Sequence, residues 1–134
     1  MRKLALSAAI IAALTAVSGT PGIAAPKSCP ALNAIDPDND GKLDLEEARR
    51  AALKTFHRLN TDKDGTLDRR ELRGRVGLFE MMRANPDRDG TLDKAEYLAL
   101  VAARFKAANR DKDGTIECDE LNTLRGRRLM RLLN

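Results

Sequence analysis

Four twelve-residue segments of this chain align without a gap: DPDNDGKLDLEE from Asp36, NTDKDGTLDRRE from Asn60, NPDRDGTLDKAE from Asn85 and NRDKDGTIECDE from Asn109. Their starts are 24, 25 and 24 residues apart. A period in the twenties suits a solenoid, whose repeats share an apolar ladder. Here the shared part is polar. Each segment carries an oxygen side chain at positions 1, 3, 5, 9 and 12, Gly at 6 and an apolar Leu or Ile at 8. A hard cation takes about six to eight oxygens at roughly 2.3–2.6 Å, and side chains at 1, 3 and 5 of a turning loop converge to supply them. Gly41, Gly65, Gly90 and Gly114 permit the turn.

This is the EF-hand loop pattern. In loop one the ligands are Asp36, Asp38, Asp40, the carbonyl of Lys42, Asp44 and Glu47. Loop two offers Asn60, Asp62, Asp64, the Thr66 carbonyl, Asp68 and Glu71. Loop three offers Asn85, Asp87, Asp89, the Thr91 carbonyl, Asp93 and Glu96. Loop four offers Asn109, Asp111, Asp113, the Thr115 carbonyl, Glu117 and Glu120. The Glu at position 12 can close each site with both oxygens. Leu43, Leu67, Leu92 and Ile116 suit a short strand that pairs one loop with another. Loop one has five carboxylates and the others four. Ligand charge tunes affinity, so loop one is expected to bind most strongly. Loop four, with Arg110 at position 2, is expected to be the weakest.

The linkers predict the arrangement. Residues 48–59 and 97–108 have no Gly or Pro and place Ala48, Ala51, Ala52, Phe56, Leu59 and Leu98, Val101, Ala102, Phe105 at helical spacing. Each is too short for two helices, so one helix of about 18 Å leaves one loop and runs into the next. Loops joined in this way cannot pair. The linker of residues 72–84 contains Gly74 and Gly77, where a helix should break and the chain can reverse. The expectation is an all-α fold: a compact four-EF-hand bundle with single helices shared between consecutive loops. Loops one and four pair at one end, two and three at the other. Leu32, Phe56, Met81 and Phe105, each four residues before a loop, are expected in the core with Met82 and Met130.

The chain begins with a different kind of segment. Arg2 and Lys3 precede a run without charge from Leu4 to Val17, about 21 Å as a helix and shorter than the roughly 30 Å hydrocarbon core. Small residues follow. Residues 1–24 read as a secretory signal peptide cut after Ala24, and residues 25–134 as the metal-binding domain. A periplasmic or secreted location follows, without stable membrane insertion, in a compartment that permits disulfides. Cys29 and Cys118 meet if loops one and four pair; two free thiols are the alternative.

The charge balance excludes other classes. Lys and Arg total 24 and Asp and Glu 20. Of those acids, 17 sit at ligand positions, leaving Glu46, Glu80 and Asp119. The basic excess is therefore a property of the helices and no sign of a nucleic-acid partner. With one His, two Cys and 3% aromatics, no nucleophile–base pair or stacking platform is offered, so no enzyme is expected. Removing Arg2 and Lys3 leaves 22 basic residues against 20 acids, net +2. Four calcium ions raise this to +10 and four trivalent ions to +14, so an acidic protein partner should prefer the loaded form.

The stretch DGTLDKAEYLALVAARFKAANRDKDGTIE, the ELRGRV after loop two, and Pro at position 2 of a loop (Pro37 and Pro86) resemble the lanmodulin family of periplasmic lanthanide-binding proteins. The likeness spans residues 36–121. It implies lanthanide binding in preference to calcium and a change from disordered to compact on binding. The chain departs from the family at Thr61 and Arg110, which replace Pro, and at Asn60 and Asn85. The ions are thus calcium or lanthanide, up to four, in a monomeric carrier, buffer or sensor whose folding is coupled to the metal. The competing function is a secreted, calcium-stabilised interaction module of the dockerin kind. Four loops with entering helices and Glu at position 12 argue against it.

Overall fold

The computed structural model describes residues 29–134, so the expected signal peptide lies outside the described residues. Pro30 to Ile35 form hydrogen-bonded turns, in which Ile35 donates to the Leu32 carbonyl at 2.7 Å and Asp36 to the same carbonyl at 2.9 Å. A full helix was expected before loop one. Only six residues separate the bonded Cys29 from Asp36 at the start of loop one, and they close as turns.

Strand β1 (Leu43–Asp44) leads directly into helix α1 (Leu45–Leu59). Strand β2 (Thr66–Leu67) is followed by turns and then α2 (Leu78–Ala84). Strand β3 (Leu92–Asp93) leads into α3 (Lys94–Ala108), and β4 (Thr115–Ile116) into α4 (Cys118–Leu121) and α5 (Leu124–Leu133). Helices dominate the described chain. None of them is long and apolar enough to cross a membrane.

α1 and α3 are the shared helices, 15 residues each and about 22 Å long. Each starts on a capping box, Asp44 with Glu47 and Asp93 with Glu96, which satisfies two free N–H groups reciprocally. The break also falls where expected. Gly74 takes φ +75° and Gly77 caps α2, so the helical turn after loop two ends within a few residues. β1 pairs antiparallel with β4, Leu43 opposite Ile116; β2 pairs with β3, Leu67 opposite Leu92. All four of these apolar residues are fully buried.

The core lies between α1, α3 and α5. Leu32, Phe56, Met81 and Phe105 are all buried in it. The expectation fails for Met82, which is 64% exposed, and holds in part for Met130, which is partly buried against the core. The short α2 buries Met81 alone and turns Phe79 and Met82 outward. On α3 the buried face is rotated from the expected one. It is made of Tyr97, Leu100, Val101, Arg104, Phe105 and Ala108, with Leu98 half-buried.

Two polar side chains are accommodated there. Arg104 forms a two-pronged pair with Glu80, its Nε and Nη2 lying 2.8 and 2.7 Å from the carboxylate oxygens. It also donates to the carbonyls of Arg75 and Arg128, tying α3 to the reversal and to α5. The guanidinium holds the Glu80 carboxyl below its ordinary range. Tyr97 packs edge-on against Phe56 and donates its hydroxyl to the Leu132 carbonyl at 2.8 Å. At the α4–α5 corner, a Cβ on Gly126 would collide with the backbone of Glu120 and Leu121, so only glycine lets α5 approach so closely. Cys29 and Cys118 are bonded across 89 residues, which resolves the open choice in favour of the disulfide.

Burial pushes the Tyr97 hydroxyl up to about 12, against the partial opposition of Arg75, Arg104 and Arg58. The fold therefore prefers the neutral phenol, whereas an unfolded tyrosine ionises near 10. Its contribution is fully present below pH 10 and declines as pH rises towards 12, by about 2–3 kcal/mol in all. Tyr97→Phe should cost about 1 kcal/mol at pH 8 through the lost hydrogen bond. It should also abolish this part of the alkaline decline. Urea unfolding should show the wild type ahead at pH 8 and behind the variant at pH 11.5; parallel decline would contradict the assignment.

Candidate metal centre

The four loops repeat one backbone course. Position 4 has positive φ in each, at Asn39 (58°), Lys63 (61°), Arg88 (61°) and Lys112 (63°). Position 6 does so too, at Gly41 (80°), Gly65 (91°), Gly90 (91°) and Gly114 (99°). A side-chain-bearing residue in this region costs about 1–2 kcal/mol, so the glycine removes half of the strain. The double reversal curls the chain around its own carboxylates. The N–H of position 5 donates to the position-3 carboxylate at 3.1–3.3 Å in all four loops. The N–H of position 7 donates to the position-5 carboxylate at 2.8 Å in all four. Ligand side chains are thus aimed by the loop's own backbone.

The end of each loop is held by the following residues. Asp44, Asp68, Asp93 and Glu117 at position 9 form capping boxes or bonds with the position-12 Glu. Position 12 then differs between loops. Glu71 also accepts from the Thr61 N–H at 2.8 Å, and Glu120 from the Arg110 N–H at 2.6 Å. These bonds fold the glutamate back onto the start of its loop. Pro37 and Pro86 have no N–H to give. Glu47 and Glu96 therefore keep one carboxylate oxygen clear of position 2.

Position 1 is the telling place. Asp36, Asn60, Asn85 and Asn109 are all buried, and the Oδ1 atom of each has no hydrogen-bond partner among the described residues. A buried polar oxygen left unsatisfied costs about 1–3 kcal/mol. Here the same atom is left so at position 1 of every loop. The donor set is oxygen throughout, which suits a hard cation and not a soft one. The three aspartates of loop one, Asp36, Asp38 and Asp40, bring one oxygen each within 4.8 Å of one another. Among the described residues loop one alone brings three acids together in this way. Lys42 and Thr91 immediately precede β1 and β3, and Thr66 and Thr115 begin β2 and β4.

The electrostatics follow this crowding. A shared hydrogen bond with Asp36, with Asp40 nearby, raises the Asp38 carboxyl above its ordinary value. Burial raises Glu47 and Glu96, and neighbouring loop carboxylates add to the effect. By contrast the backbone and hydroxyl of the position-7 threonine hold Asp64, Asp89 and Asp113 low. Loop one lacks that hydroxyl, because Lys42 stands at position 7.

Residues 31–50 match the EF hand family. That span includes the whole of loop one. No curated protein matches the chain. The match and the Asp36–Asp38–Asp40 cluster together support calcium binding by this EF-hand loop. The sequence had marked Lys42 only for its carbonyl. The structure adds its side chain, which crosses to loop four with Nζ 2.9 Å from Glu117 Oε1. The signal was present, since the other three loops have Thr there. His57 is exposed beside Phe56 on α1, apart from any carboxylate cluster, as befits a surface residue.

Ligand charge can be exchanged between loops at position 1. Asp36→Asn should lower the calcium affinity of loop one by roughly tenfold, and Asn60→Asp should raise that of loop two by a similar factor. Calorimetric titration of each variant would check both; unchanged affinities would remove position 1 from the ligand set.

Proposed function

We propose that this chain is an exported EF-hand metal-binding protein, a carrier, buffer or sensor, holding up to four calcium or lanthanide ions. The observation that carries the reading is the set of four unsatisfied position-1 oxygens, one in each loop and all buried. A cation at each loop would satisfy all of them at once. The leader-like residues 1–24 and the Cys29–Cys118 bond support export, because such bonds persist in oxidising compartments. The resemblance of residues 36–121 to lanmodulin supports the trivalent ion, and the five carboxylates of loop one favour it there, since each added charge benefits a trivalent ion most.

The same carboxylates argue for metal-coupled folding. Within each loop they repel one another until a cation arrives, so binding energy becomes folding energy. After loading, the surface is strongly basic, and an acidic protein partner would discriminate loaded from unloaded chain. The exposed Phe79 and Met82 on α2 favour a second reading, in which the ions only stiffen an interaction module.

Circular dichroism titrations of the mature protein with calcium and with lanthanum, each from a chelated start, separate these readings. The proposal expects helicity to rise with either ion and the lanthanum midpoint to lie lower. Equal helicity with and without chelator would remove the coupling, and equal midpoints would remove the lanthanide preference.

A further inference from the structure

The strand pair β1–β4 sets the second half of loop one against the second half of loop four. With Leu43 opposite Ile116 and Asp44 opposite Thr115, Lys42 comes alongside Glu117. Its ammonium lies 2.9 Å from Glu117 Oε1 and 3.8 Å from Asp113 Oδ2. These are ligand positions 9 and 5 of loop four. A lysine ammonium is charged at neutral pH.

No other loop has this arrangement among the described residues. The position-7 threonines of loops two, three and four turn their hydroxyls to their own aspartates at 3.0, 2.9 and 3.0 Å. The β2–β3 pair is bridged by no side-chain cation. Loop four carries a second restraint as well, since the Arg110 N–H holds Glu120 at 2.6 Å.

We propose that Lys42 is a tethered cation that sets the affinity and ion preference of loop four, making it the last site to fill. This rests on the reading of the loops as cation sites. An ion entering loop four has to displace the ammonium from two ligand carboxylates and then tolerate it nearby. The Lys42 backbone immediately precedes β1 beside them, so its ammonium stays within reach of the site after displacement. Repulsion between the ion and the ammonium grows with the ion's charge, so Lys42 penalises a trivalent ion more than calcium. Loops one and four of a single pair are thereby set apart. The loop with five carboxylates supplies the lysine that offsets two carboxylates of its neighbour.

The test uses the mature, oxidised protein, titrated with chelator-buffered calcium and, separately, lanthanum. The amide signals of Gly41, Gly65, Gly90 and Gly114 in nitrogen–proton correlation spectra report one loop each. Lys42→Met should shift the Gly114 calcium midpoint to about three- to tenfold lower free ion. The shift should be larger with lanthanum and smaller at high salt, while Gly65 and Gly90 in the other pair stay within twofold. Lys42→Arg, which keeps the charge, should hold the wild-type midpoint. Should Lys42→Met fail to fold, Lys42→Gln provides the same readout. A Gly114 midpoint unchanged by loss of the charge, or equal shifts for both ions, would overturn the role of Lys42. If no glycine amide of the wild type responds to either ion, the metal-binding reading itself falls, and this inference with it.

Discussion

A 15-residue helix keeps its two ends about 22 Å apart, and the rest of this structure depends on that separation. α1 and α3 each join two loops end to end, so the loops on one helix cannot touch. Each loop must find its partner on the other helix or beyond it. The chain reverses at Gly74 and Gly77, which brings loop two against loop three. Loop one is then left for loop four, and the two ends of the domain meet. The Cys29–Cys118 bond, the contact of Lys42 with Glu117 and the docking of α5 on α3 are consequences of that meeting.

Within each loop the same few carboxylates serve two purposes. Positions 3 and 5 accept backbone N–H groups that shape the turn, and positions 9 and 12 cap the helix or, after loop two, the turns that follow. Ligand and scaffold are therefore not separable. Once a loop is folded, its backbone orients the side chains that an ion would draw on. The four loops still differ through substitutions at two positions. Pro at position 2 withholds an N–H from Glu47 and Glu96, whereas Thr61 and Arg110 supply one to Glu71 and Glu120. Lys at position 7 of loop one sends its charge across the strand pair.

Much of this was legible in the sequence because the repeat carries its own geometry. Gly at position 6 and Leu or Ile at position 8 predicted the turn and the strand residue, and linker length predicted which loops pair. The orientation of α3 was harder to read. The apolar periodicity favoured Leu98, but Tyr97 and Arg104 are the buried residues, because each finds polar partners in α2, α5 and the reversal. A polar side chain counted as surface in the pattern becomes core once its partners arrive from distant segments. Met82 failed in the opposite direction, since seven residues of α2 bury only one turn's worth of side chain. The absent helix before loop one reflects the short stretch between Cys29 and Asp36 and a disulfide whose formation spacing alone could not decide.

The central claim is that the unsatisfied oxygens of Asp36, Asn60, Asn85 and Asn109 are cation ligands. Anomalous diffraction from crystals of the mature protein grown with terbium tests it most directly. The account predicts four peaks, one in each loop, about 2.3–2.6 Å from the Oδ1 atom of those residues. Peaks confined to surface carboxylates outside the loops, or loops without density at saturating ion, would contradict it.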